Sequence, residues 1–308
     1  MLQYLIILLD DTSVSFCHYD NTKTSRRLIA LETLRQGIRF GMMENLMIQF
    51  VYPNYELPDS YVEVIDSIDH SKIKPVADDA DVWVTEEVKG INSNVPVVWR
   101  TGKQGLQDRE DDIIETLQKV PRLNIVLTDV DTFTNEDFDK YKALLERLSA
   151  NIEKLFAEGR QPLLNLLTDR IMLSKMNNCG AGDTSITLAP NGNFYICPAF
   201  YYDDEDDSVG DLEDGLDIKN KHLYQLDYAP ICRHCDAYQC KRCIWLNRKT
   251  TLEVNTPSHE QCVMAHLERN ATRMLLANIR NHGDFLPETE INEIDYLDPF
   301  ANRHTWQQ

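Results

Sequence analysis

Apolar positions along the first 170 residues alternate between two rhythms. The run from Tyr4 to Leu9 is continuously apolar and predicts a buried strand ending at Asp10 and Asp11. After a polar loop, Leu28, Leu31, Leu34, Ile38 and Met42 recur at helical spacing and predict a helix through Asn45. Met47 to Val51 reads as a second strand, stopped by Pro53. A strand–helix–strand order favours parallel strands with a right-handed crossover. The rhythm then repeats. A helix is expected from Asp59 to Ile68, with Val62, Ile65 and Ile68 on its buried side. Strands are expected at Asp81–Thr85, Val95–Arg100 and Leu123–Thr128, and a helix from Asp111 to Val120. A long helix capped by Thr134 follows, then a last apolar run from Leu163 to Leu167. Such alternation predicts an α/β layer architecture, a partial barrel or an open sheet.

The pattern changes near Lys175. Two short runs, Thr184–Leu188 and Asn193–Cys197, flank Pro190-Asn-Gly192, a strong hairpin signal. An acidic stretch, Asp203 to Asp207, reads as a solvated loop, with a docking surface for a basic peptide as the alternative. A final helix is expected from Thr256 and Pro257, with Val263, Leu267, Met274 and Ile279 buried. Beyond Asn281 the chain is polar and acidic. This gives three segments: 1–174, 175–281 and an acidic tail, 282–308.

The net charge of −19 disfavours phosphate backbones, so nonspecific nucleic-acid binding is not expected. Neither a secretory signal nor an apolar run of membrane-spanning length is present, which predicts a soluble cytoplasmic protein. In that compartment thiols stay reduced, so disulfides are the weakest explanation for the cysteines.

Those cysteines carry the candidate chemistry. Cys232, Cys235, Cys240 and Cys243 fall within twelve residues; Cys179 and Cys197 precede them and Cys262 follows, while Cys17 stands apart. Zinc and iron–sulfur clusters are both open. A single zinc prefers knuckles a dozen or more residues apart, and here only four residues separate them. Iron–sulfur clusters allow the last cysteine of a compact run to serve a second cluster. Cys232, Cys235, Cys240 and Cys262 would then bind one cluster. Cys179, Cys197 and Cys243 would bind another, its fourth ligand unidentified. His234 lies inside one knuckle, and His266 follows Cys262 by one helical turn. Both read more simply as polar surface than as ligands.

The order of cysteines and Gly192, from Cys179 to Cys262, resembles the SPASM domain, although two gaps of the central run are each one residue short. The first half resembles the radical SAM partial barrel. The whole chain is similar to the CXXX repeat peptide maturases, on the residues from Leu8 to Thr12, Cys17-His-Tyr19, Gln49 to Pro53 and the SPASM cysteines. The resemblance implies two auxiliary 4Fe-4S clusters and a small cysteine-rich precursor peptide as partner. Radical SAM enzymes carry C-x3-C-x2-C in the loop after the first strand. Here that loop holds Cys17 alone, so no S-adenosylmethionine cleavage by this chain is expected, and a partner enzyme would supply the radical. Three functions remain in play: peptide maturation, an electron-transfer or structural cluster protein, and a zinc-binding interaction module.

Overall fold

The computed structural model describes residues 1–291. In chain order the elements are β1 Tyr4–Leu8, α1 Leu31–Met43, β2 Met47–Val51, α2 Asp59–Ile65, β3 Ser71–Pro75, β4 Val82–Thr85, β5 Val97–Thr101, α3 Lys103–Asp108, α4 Glu110–Thr116, β6 Leu123–Leu127, α5 Asn135–Ala157, α6 Asp169–Met172, β7 Ser185–Leu188, β8 Phe194–Tyr195, α7 Pro198–Asp203, α8 Ile244–Thr251 and α9 His259–Arg280. The chain divides into two compact units. One joins Met1–Thr85 with Gly180–Ala229, and the other joins Glu86–Cys179 with the chain from Pro230 onward.

In the first unit the strands run β4-β3-β2-β1-β7-β8. β1 pairs in parallel with both β2 and β7, and β2–β3 and β3–β4 are also parallel. The β7–β8 pair is antiparallel, closing the hairpin read from Pro190-Asn-Gly192. Gly192 takes φ +87°, a conformation that costs glycine little. Leu5, Ile7, Phe50, Ile186 and Leu188 form the sheet's share of the core, and Leu34 and Ile38 of α1 pack onto it. Gly37 allows the close approach: a Cβ there would meet Leu188 Cδ2 at 2.3 Å.

In the second unit β5 and β6 pair in parallel. Thr134 and Asp137 form a capping box at the start of α5, and Ser258 and Gln261 do the same for α9. Ser258, rather than Pro257, therefore opens the last helix. Tyr141 of α5 donates to Glu268 of α9 at 2.7 Å, and Thr272 of α9 donates to the Leu167 carbonyl at 2.7 Å. Val263, Leu267 and Ile279 are buried as expected, but Met274 is 54 % exposed. Val62 and Met42 are also exposed, at the rims of their helices. Residues 163–167 form no strand beyond a single parallel bridge between Leu123 and Leu164. Among the described residues no helix is long and apolar enough to cross a membrane. Most of the expected acidic tail lies outside the described residues.

Candidate metal centre

The stretch from Cys232 to Cys243 is built from tight turns. Cys232–His234 is one turn of 3-10 helix, closed by the Cys235 N–H donating to the Cys232 carbonyl at 3.1 Å. The Ala237 N–H then donates to Cys235 Sγ at 3.4 Å. The second turn repeats the device: the Cys240 N–H meets the Ala237 carbonyl at 3.0 Å, and the Arg242 N–H donates to Cys240 Sγ at 3.4 Å. Arg242 reaches that position only by adopting φ +46°. A left-handed non-glycine residue costs roughly 1–3 kcal/mol. The strain goes with a backbone donor held against a sulfur.

These turns and the first turns of α9 enclose a cavity of about 90 Å³. Cys232, Cys235, Cys240 and Cys262 all line it, together with Arg242 and His266. Cys243 is not among its lining residues; it caps α8, its carbonyl accepting from Asn247 N–H at 2.9 Å. Cys179 is exposed, and its N–H meets the Lys241 carbonyl at 3.0 Å. Cys197 caps α7 in the first unit. Among the described residues, no three His, Cys, Asp or Glu side chains stand close enough to hold one metal ion between them. The four thiols share the lining of one cavity. Four cysteines around a cavity are the donor set of iron–sulfur clusters.

Burial pushes the Cys232 thiol up to about 11, with the Arg242 guanidinium pulling it the other way. Burial also raises Cys235 and Cys240. Without a metal these groups are protonated at neutral pH. A ligand that displaces the protons must bring positive charge with it. The surroundings are suited to thiolates. Arg242 and Arg269 are 1 % and 0 % exposed, and Arg170 is also buried. Arg269 pairs with Asp236 at 2.7 Å, Arg170 donates to the Asp236 carbonyl at 2.6 Å, and Arg242 donates to Asn178 Oδ1 at 3.1 Å. The sequence reading passed over all three arginines, although Arg242 sits inside the second knuckle.

The two histidines separate. His234 is exposed at the cavity's edge. His266 is not on a polar helix face as expected: it is buried, with Nε2 3.4 Å from Cys235 Sγ.

Beside the cavity-lining turn Glu268 is buried, accepting from Tyr141 Oη at 2.7 Å and from Gln239 Nε2 at 3.2 Å. Burial outweighs both donors and raises its carboxyl from 4.5 to about 7. Below pH 4.5 the carboxyl is protonated in both folded and unfolded chains. Between there and pH 7 only the unfolded chain releases its proton, so stability falls as pH rises through this window. The drop should be on the order of 3 kcal/mol. Urea midpoints measured across this window should show the slope in the parent protein and its loss in Glu268→Gln; equal slopes would contradict the assignment.

In the first unit the loop after β1 is tied by a separate polar network. Asp10 is 0 % exposed and accepts from Thr12 N–H at 2.8 Å, Thr12 Oγ1 at 2.6 Å and Tyr55 Oη at 3.0 Å. Asp11 accepts from Arg27 Nε at 3.0 Å and from the Tyr201 hydroxyl. Arg27 also reaches both oxygens of Glu205 at 2.7 Å. The acidic stretch is thus not simply solvated, because Glu205 anchors this loop. Cys17 and His18 are half-buried within it.

No protein-family model matches the chain, and no curated protein matches its sequence. Among solved structures, native anSMEcpe with bound AdoMet and Cp18Cys peptide matches with a TM-score of 0.59 and 12% identity, over 91% of this chain and 100% of that one. Native anSMEcpe with bound AdoMet gives 0.58 and 12% identity, over 90% and 99%. SuiB of Streptococcus suis, bound to precursor peptide SuiA, gives 0.40 and 11% identity over 76% and 66%, too slight a likeness to carry an argument. At 12% identity the likeness is one of fold alone: over 91% of its length the chain shares the α/β fold of anSMEcpe.

Proposed function

We propose that this chain is an iron–sulfur protein of peptide maturation, with Cys232, Cys235, Cys240 and Cys262 as the ligands of one 4Fe-4S cluster. The observation that carries the reading is the single cavity lined by these four thiols, two of which accept backbone N–H groups. Bound there, the cluster would supply one-electron chemistry. The chain's own part is to hold four thiolates, screen them with Arg242, Arg269 and Arg170, and keep water out. The gap of only four residues between the two knuckles supports a cluster over a single zinc.

The peptide substrate rests on fold likeness to anSMEcpe, solved with a bound peptide, and on the resemblance to the CXXX repeat peptide maturases. A second reading, an electron-transfer or structural cluster protein without substrate chemistry, draws on the completeness of the donor set. Four protein thiolates leave no iron position at this site for a substrate thiol. Substrate contact on the maturation reading therefore lies elsewhere on the chain.

Anaerobic reconstitution followed by titration with a synthetic peptide carrying cysteine at every fourth position tests both readings. The maturation reading expects brown protein with at least about four irons per chain, and peptide binding that is lost when the peptide's cysteines become serines. Brown protein that ignores the peptide favours the second reading. Colourless protein with stoichiometric zinc overturns the cluster.

A further inference from the structure

His266 lies one helical turn after Cys262, so both side chains leave the same face of α9. That face lines the thiol cavity, and His266 is only 3 % exposed. Its Nε2 stands 3.4 Å from Cys235 Sγ, within hydrogen-bond reach of sulfur. A ligating thiolate has no proton and can only accept. The nitrogen facing it must then carry the hydrogen, which fixes the Nε2–H tautomer. Cys235 Sγ already accepts from the Ala237 N–H at 3.4 Å. Cys235 Sγ is thus met from both a backbone and a side-chain partner.

Hydrogen bonds to ligating sulfurs stabilise the added negative charge of the reduced cluster and raise its potential. From this arrangement we infer that His266 is a positioning residue that donates to the Cys235 thiolate and sets the reduction potential of the cluster, without ligating iron itself. The inference rests on the cluster reading above and adds a role that the cysteine pattern does not contain. An imidazole in this place also fills space beside the thiols, so the test must separate donation from packing.

The experiment is a mediated potentiometric titration of the anaerobically loaded full chain, with iron content measured on each sample. His266→Leu fills the space without a donor. It should keep its iron while the reduction equilibrium shifts about tenfold toward the oxidised form, a fall of about 59 mV for one electron. His266→Gln offers an amide donor at similar reach and should restore most of the shift. Parent-like potentials in both variants, or an equal fall in both, overturn the inference. If His266→Leu does not hold iron, the His234→Gln chain grown on histidine labelled with a heavy nitrogen isotope decides. A weak hyperfine coupling from labelled nitrogen in its reduced cluster is the expected result. No coupling overturns the donor role, and a coupling as large as direct iron–nitrogen ligation makes His266 a ligand and overturns it too. A parent chain that takes up no iron fails at the cluster reading, identified by the iron analysis alone, and removes the inference with it.

Discussion

Cys240→Ser is expected to release about four irons per chain, the whole content of one cluster, rather than one iron in four. The serine hydroxyl is a poorer iron ligand than the thiolate it replaces, and the irons share bridging sulfides, so loss of one ligand is expected to release the cluster as a whole. Cys240 is the residue on which the local fold concentrates. Its Sγ lines the cavity, accepts the Arg242 N–H, and has Arg242 held left-handed to deliver that bond. Cys262→Ser should release the same amount from the opposite wall. The double variant should lose no more iron than either single variant, since the two losses are not independent when both residues serve one cluster. Cys17→Ser, in a different compact unit, should leave iron content unchanged. Iron and sulfide analysis of the four proteins decides. Additive losses in the double variant would place Cys240 and Cys262 at separate centres and undo the proposed ligand set.

The parts of this fold that announce themselves in sequence are those where burial is continuous. β1 and β2 are apolar on every inward position, and their bounds fall within a residue of the expected ones. The β7–β8 hairpin was legible because its turn needs a residue at positive φ, and glycine occupies it. β3 was not legible. Its residues, Ser71 to Pro75, include two lysines, and only Ile73 is buried; the strand exists because β2 and β4 flank it. Short α3 was missed for a related reason: Asp129, 26 residues away, accepts from the Lys103 N–H at its first turn. Met274 and Val62 kept helical spacing but stand on rims, because spacing fixes a side and not the depth of burial.

The candidate site shows the same division. Cysteine spacing pointed to Cys232, Cys235, Cys240 and Cys262 as a group. What spacing could not supply was the polar packing around them, because buried arginines look like surface in a sequence. Arg269 is fully enclosed only because Asp236 comes to it from 33 residues away. His266 had a usable signal in its four-residue offset from Cys262, which puts it on the cavity face. Asp10 and Asp11 read as the polar end of a strand. Their partners Tyr55, Arg27 and Tyr201 come from distant parts of the chain, so only the fold assembles the network.

That network bears on the last expected result. Incubated with a reductant and S-adenosylmethionine, the cluster-loaded protein should release no 5′-deoxyadenosine above a no-protein control. Reductive cleavage in radical SAM enzymes needs a cluster held by three thiolates in the loop after the first strand, and before Cys179 this chain has only Cys17. The same loop is organised by carboxylates instead. Each oxygen of Asp10 and Asp11 is engaged by a hydroxyl, an N–H or the Arg27 guanidinium. The Ser13 hydroxyl ties the loop to the Val51 carbonyl at 2.8 Å. Such a loop is held in place by hydrogen bonds to side chains brought in from distant parts of the chain. The fold's likeness to anSMEcpe, which is solved with bound AdoMet, runs against this expectation, and the assay decides between them. Holding the molecule takes shape and hydrogen bonds, whereas breaking its carbon–sulfur bond takes an electron delivered at that spot. Release of 5′-deoxyadenosine at a rate proportional to protein concentration, surviving removal of copurifying enzymes and insensitive to Cys17→Ala, would mean that another centre in this chain delivers the electron, and would overturn the expectation.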